Sequence, residues 1–116
     1  MSLLNELQGF DVDIQDGLKR FVNNAALYEK MLKKFPGASA DLPVLPHFEA
    51  GDLEAALANA HTLKGMTGNL SLTPLYKAYT DIVALLRAGE PDQARELAAQ
   101  IAPVQAEISE CIKKFM

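Results

Sequence analysis

Apolar residues recur at steps of three and four along almost the whole chain, and this spacing constrains the fold more than any other feature. Such a spacing places a stripe of apolar side chains along one side of a helix. No segment alternates apolar and polar residues with the β-branched and aromatic enrichment typical of a strand. The pattern therefore predicts an all-α protein.

The first clear stripe follows an Asn-Asn pair at 23–24, and either asparagine is suited to cap a helix there. We expect the Pro-Gly pair at 36–37 to end this helix. Any helix within residues 39–50 should be short, kinked or partly irregular, because two prolines interrupt this segment. Shorter helical segments are expected before the Asn-Asn pair, within residues 1–22.

The second half of the chain predicts three longer helices. Asp52 is placed to cap the first, and the Thr73 hydroxyl to cap the second, before a proline at its first helical position. Gly89 ends the second helix, and Pro91 begins the third. Long helices with narrow stripes and short connections predict an antiparallel four-helix bundle with one or two short additional N-terminal helices. The length suits a single domain over residues 1–116.

Composition and charge exclude several classes of function. The net charge of −4 disfavours nucleic acid, which needs clustered cations. No run approaches the roughly 18 apolar residues of a membrane span, and no secretory leader is evident, so we expect a cytoplasmic chain without membrane contact. One cysteine, Cys111, and two histidines are too few for a disulfide or a structural zinc site. We expect Cys111 to be a buried core residue.

One flank of the helix after Asp52 does not resemble ordinary packing. His61 lies about 100° from the centre of the apolar stripe, and Lys64, Gly65 and Gly68 follow on the same flank. Two glycines inside a helix cost about 2 kcal/mol relative to alanine. Close approach of a neighbouring helix is one explanation of the glycines, but their flank favours space for another molecule to cover His61.

An exposed imidazole is largely uncharged near neutral pH, so a ring nitrogen has a lone pair that can attack phosphorus. Lys64 would offer cationic hydrogen bonds to a phosphoryl group on that ring. No nucleotide-binding loop follows a strand, so the group would come from another protein. Leu57 and Leu72 lie toward the same flank, and we predict that they contribute to a docking surface.

The run Ala-His-Thr-Leu-Lys-Gly-Met-Thr-Gly-Asn-Leu at 60–70 resembles the signature of histidine phosphotransfer domains, the helical carriers of multistep phosphorelays. The order and spacing of residues from about 10 to 89 also resemble that family. This chain has Ser71 where members of the family often have a glycine, and Val83 where they often have a glutamate. These departures concern local geometry and partner choice.

The resemblance implies that His61 is phosphorylated, that Lys64 lies near the phosphoryl group, and that Gly65 and Gly68 leave space for a receiver domain. It implies transfer between histidine and a receiver aspartate, with magnesium on the receiver and no cofactor or metal on this chain. The partners would be response regulator receiver domains and, if the chain is part of one, a sensor kinase with a cytoplasmic end. A monomer is the default expectation.

Two alternatives stay open at this point. A helical adaptor would bind a receiver-like partner through the same flank without chemistry. A metal-binding bundle would need more ligands than His61 and the distant His47 supply. We interpret His47 as a surface or packing residue, and Tyr76 and Tyr79 as residues of the core or its edge.

Overall fold

A computed structural model describes residues 2–116, and Met1 lies outside the described residues. Within that range the chain forms eight α-helices and no strand, which confirms the all-α prediction. The helices are α1 (Leu3–Gln8), α2 (Ile14–Arg20), α3 (Ala25–Leu32), α4 (Phe35–Ala40), α5 (Leu45–Glu49), α6 (Leu53–Asn69), α7 (Thr73–Arg87) and α8 (Pro91–Lys113).

Helices α6, α7 and α8 form the frame of a helical bundle. The short turns at 70–72 and 88–90 join them, and connections of this length place neighbouring helices antiparallel. Helix α7 packs against both α6 and α8. We call α1–α5 the N-terminal layer: α1, α4 and α5 pack against α8, and α5 also contacts α6. The bundle is as predicted, but several short helices take the place of a continuous fourth one.

Polar side chains begin four helices, α1, α2, α3 and α6, by accepting a hydrogen bond from a free backbone N–H in the first turn, and Ser2 does so for α1. Asp52 accepts from Ala55 N at 3.1 Å, which confirms its predicted role. Of the Asn-Asn pair at 23–24, the second residue is the cap, and its Oδ1 accepts from Leu27 N at 3.0 Å. Asp13 caps α2 in the same way. These local signals therefore set the helix starts.

Two predicted boundaries are wrong. Helix α3 ends at Leu32, and the Pro-Gly pair at 36–37 lies near the start of α4 rather than at the end of α3. A proline in the first turn sacrifices no intrahelical hydrogen bond, because the N–H groups there have no helical partner. Thr73 is the first residue of α7 and not its cap, a position that Leu72 occupies.

Tyr28 joins the N-terminal layer to the frame. Its side chain is fully buried, and a Cβ atom added at Gly17 would lie 2.2 Å from Tyr28 Cζ, so only glycine fits there. The Tyr28 hydroxyl donates a hydrogen bond of 2.7 Å to the carbonyl of Leu70, just after α6. Burial raises the pKa of Tyr28 to about 12. This contact fixes the C-terminal end of α6 relative to α2 and α3.

Other predictions about the core have mixed outcomes. Cys111 and Tyr79 are buried as predicted, and burial raises the pKa of both. Tyr76, expected in the core or at its edge, is 41% exposed.

None of the helices within residues 2–116 is both long and apolar enough to cross a membrane.

Candidate functional site

Helix α6 presents His61 on its outer side. Ala60 and Leu63 are among the residues that bury the opposite side of this helix, while the His61 side chain is exposed and Lys64 is half-buried. Within residues 2–116, no side-chain hydrogen bond or ion pair involves the His61 imidazole or the Lys64 ammonium. Both groups are therefore available to another molecule.

The two glycines after His61 have different surroundings. A Cβ atom added at Gly65 would have no atom within 4 Å, so the helix surface there is bare as predicted. At Gly68 the same atom would lie 2.9 Å from the ring of Tyr76 on α7. The prediction of bare helix is therefore wrong at Gly68, where the explanation that applies is close approach of a neighbouring helix.

The structure also corrects one of the two predicted docking leucines. Leu72 is 0% exposed, so it cannot contact a partner. The prediction continued the helical spacing past Leu70, but α6 ends at Asn69 and the chain turns there, which directs Leu72 into the core. Leu57 is half-buried one helical turn before His61, and it lines a groove with Leu86 that does not include His61. Its docking role stays a prediction.

His61 opens onto a surface groove of about 480 Å³, which we call the histidine groove. Helix α6 contributes one wall, while α2, α7 and the turn at 70–72 contribute the others. The groove therefore combines the imidazole with groups from three other parts of the chain. Its lining residues are Asp13, Asp16, Arg20, His61, Lys64, Gly65, Gly68, Asn69, Ser71, Thr73 and Tyr76.

A chain of polar contacts crosses the groove at the end away from His61. The Ser71 hydroxyl donates to Asp16 Oδ2 at 2.5 Å, and Arg20 Nε donates to the same oxygen at 2.8 Å. The hydrogen bond from Ser71, followed by that from Arg20, lowers the pKa of Asp16, and the Asp16 carboxylate in turn raises the pKa of Arg20. The backbone also contributes, because Asp13 N donates to Ser71 O at 3.2 Å.

Ser71 adopts a left-handed backbone conformation with φ of 55°, which favours glycine. Its hydroxyl bond to Asp16 is the contact that a glycine at this position would lack. The departure from the family pattern at Ser71 was thus the sequence signal for this part of the site. Asp16 and Arg20 were missed, because their four-residue spacing indicates a helix pair but not its position near His61.

Nothing within residues 2–116 groups three or more His, Cys, Asp or Glu side chains closely enough to hold a metal ion. His47 lies on α5 and is half-buried, and it is absent from the lining of the histidine groove. The groove instead brings together one imidazole, two cations, Lys64 and Arg20, and two carboxylates, Asp13 and Asp16, of which Asp16 is paired with Arg20. Such a set can accept a group on the ring, and Lys64 can bind an anion there.

The structure thus combines a helical bundle with an accessible histidine on a 17-residue helix, an arrangement that allows a group to be carried on the imidazole. The family model described as "Hpt domain" matches residues 15–114, and the chain belongs to that family of histidine phosphotransfer domains. Hpt domains function in histidine phosphotransfer within phosphorelays and interact with response regulator receiver domains. Searches of curated proteins and of solved structures gave no match.

Proposed function

We propose that His61 accepts a phosphoryl group from the aspartate of one receiver domain and passes it to the aspartate of another. The observation that carries this proposal is the exposed imidazole, free of intramolecular hydrogen bonds, next to the bare surface of Gly65. A covering protein can therefore approach the ring without displacing any side chain of this chain.

In the proposed transfer, a lone pair of a His61 ring nitrogen attacks the phosphorus of an aspartyl phosphate. The new N–P bond forms while the P–O bond to the aspartate breaks, and the bonding electrons leave with the carboxylate. The other ring nitrogen keeps its proton. Lys64 would donate a charge-assisted hydrogen bond to a phosphoryl oxygen. The reverse sequence returns the group to a second receiver.

The proposal includes the conditions of the transfer. Magnesium would be held by the receiver, and this chain would contribute no metal or cofactor. The chain would act as a single domain over residues 1–116, as a monomer in the cytoplasm. A sensor kinase would be an additional partner if the chain is part of one.

The decisive experiment mixes the chain with magnesium and each phosphorylated receiver of its organism. We expect one or more receivers to yield an acid-labile, alkali-stable phosphate on this chain. His61→Gln should abolish that phosphate, and His47→Gln, which removes the other histidine, should retain it. Receiver binding without any transfer would instead identify a helical adaptor.

A further inference from the structure

The outer side of helix α8 is exposed along its length. Ala94, Ala98, Ile108 and Ile112 bury the inner side against the rest of the bundle. On the opposite side, exposed residues recur at steps of three and four, the spacing that keeps one face of a helix toward a second helix. We call these residues the outer α8 face: Asp92, Arg95, Ala99, Ala102, Pro103, Ala106, Glu110 and Lys113.

The middle of the outer α8 face is uncharged and apolar. Residues 97–106 include no Asp, Glu, Lys or Arg, although 22% of the residues of the chain are charged. The members of the face in this segment are three alanines and a proline, whose short side chains allow another helix to approach to an axial distance of about 8 Å. An apolar centre between charged ends is typical of protein–protein interfaces.

The charges at the two ends of this face are arranged symmetrically about the peptide bond 102–103. Arg95 precedes this bond by the same seven residues by which Glu110 follows it. Asp92 and Lys113 are each ten residues away from it, one on either side. Both pairs therefore place opposite charges at equal distances from the middle of the face.

This symmetry makes the outer α8 face complementary to itself in an antiparallel pair. A two-fold axis through its middle brings Arg95 of each copy opposite Glu110 of the other, and Ala99 opposite Ala106. A parallel pair would bring each charge opposite an identical one. Within one copy Lys113 and Glu110 are 3.4 Å apart, but both side chains are more than half exposed, so their ion pair contributes little and can exchange for a contact with a second copy.

We propose that the outer α8 face binds the same face of a second copy of this chain, forming an antiparallel dimer. The three alanines and Pro103 form the centre of the contact, and ion pairs between Arg95 and Glu110 flank it on both sides. This inference goes beyond the proposed function and does not depend on it. The histidine groove has no lining residue on α8, so the dimer leaves both His61 side chains accessible.

The pairing is weak, which agrees with a chain that transfers phosphate as a monomer. One side of one helix offers a contact area at the low end of protein–protein interfaces. Glu96 and Glu107 are exposed along one edge of α8, six and four residues from the bond 102–103, so the same axis brings these like charges close together. We expect a dissociation constant on the order of 100 µM. The free chain is then mostly monomeric at low micromolar concentrations, and copies tethered at millimolar effective concentration are mostly paired.

The first measurement is the concentration dependence of the molecular mass in small-angle X-ray scattering. In the wild type, the paired fraction should rise from less than about one fifth of the chains at about 10 µM to about four fifths at about 1 mM. Ala99→Glu should raise the dissociation constant at least about tenfold, because it places a carboxylate in the uncharged centre. Ala84→Glu makes the same change at an exposed position on α7 and should pair as the wild type does.

A charge exchange tests the antiparallel arrangement. Arg95→Glu and Glu110→Arg should each pair at least about tenfold more weakly than the wild type, because each brings like charges together across the contact. An equal mixture of these two variants should pair as tightly as the wild type, since every contact between positions 95 and 110 of the two variants then joins opposite charges. Circular dichroism checks that each variant keeps its helix content.

Three results would overturn the proposal. They are a wild type that stays monomeric at about 1 mM, equal pairing of Ala99→Glu and Ala84→Glu, and a mixture of Arg95→Glu and Glu110→Arg that pairs no better than either variant alone. Phosphotransfer to His61 is measured separately in the same samples. Its absence in the wild type would count against the proposed function alone, because the mass measurement does not involve phosphate.

Discussion

The N-terminal layer and the three-helix frame differ in helix length and in backbone conformation. Helices α6–α8 contain 15 residues or more each, whereas those of the layer contain eight or fewer. Three of the four non-glycine residues with positive φ among residues 2–116, Asp11, Val22 and Asn23, lie in the layer. The frame thus depends on repeated local spacing, and the layer depends on particular contacts with the frame.

This difference has a functional consequence. The frame carries His61, Lys64 and Gly65, which any regular helix of this sequence would present together. The layer carries Asp16 and Arg20, whose position beside that helix depends on how α2 packs. The proposed phosphoryl acceptor therefore belongs to the frame, and the layer contributes the Asp16 and Arg20 side chains that line its groove.

The largest expected effect comes from breaking the contact between the two regions. Gly17→Ala places a methyl group 2.2 Å from the buried Tyr28 ring, which cannot move without losing its bond to Leu70. We expect a loss of about 3 kcal/mol in the free energy of unfolding, measured by urea denaturation. Gly37→Ala is the matched control, because its methyl group meets no atom within 4 Å. Equal stability of the two variants would contradict the role of this contact.

A smaller loss is expected from Tyr28→Phe, which removes only the hydrogen bond to Leu70. The free energy of unfolding at pH 7 should fall by about 1–2 kcal/mol. The pKa of Tyr28 is raised from 10.0 to about 12, so folding favours its neutral form. The stability that this preference contributes is fully present below pH 10 and is lost as the pH rises from 10 toward 12.

The difference in stability between the wild type and Tyr28→Phe should therefore narrow between pH 7 and pH 11 in denaturation measurements. Tyr76→Phe serves as the control, because the Tyr76 side chain is exposed. A difference that stays constant over this pH range would refute the assignment to Tyr28.

Relief of backbone strain in the N-terminal layer should raise the free energy of unfolding, whereas the two substitutions above lower it. Val22 is 87% exposed and has φ of 56°, a conformation that a β-branched residue adopts only at a cost. Val22→Gly should raise the free energy of unfolding by about 1 kcal/mol, after the greater entropy of glycine in the unfolded chain is subtracted. Val22→Ala keeps a Cβ atom and should gain little, and a similar gain in both variants would argue against strain.

The smallest change in stability is expected within the frame. Gly65→Ala should stabilise α6 by up to about 1 kcal/mol, because its methyl group enters open space on a regular helix. Gly68→Ala should gain less, since its methyl group meets the Tyr76 ring. If Gly65 leaves room for a receiver, phosphotransfer by Gly65→Ala should slow despite the gain. Unchanged transfer kinetics would show that the bare surface is not needed for docking.

The accuracy of the sequence predictions follows the same division. The Asp52 cap and the exposed position of His61 were predicted correctly, because both follow from local hydrogen bonding and helical periodicity. The exposed position of Leu72 was predicted wrongly, since periodicity has no meaning after a helix ends. Gly68 was predicted wrongly for a second reason. A sequence does not distinguish a glycine that leaves space for a partner from one that packs against a side chain of the same protein, here Tyr76.

The sequence alone determined the all-α class, most helix starts and the grouping of His61, Lys64 and Gly65, because residues within a few positions of one another govern each of these properties. Only the tertiary structure decided which glycine is bare, which leucine is buried, and that Arg20 and Ser71 share a groove with His61. Those properties depend on contacts between segments tens of residues apart. Ser71 and Asp16, 55 positions apart, meet only because α2 packs against the end of α6.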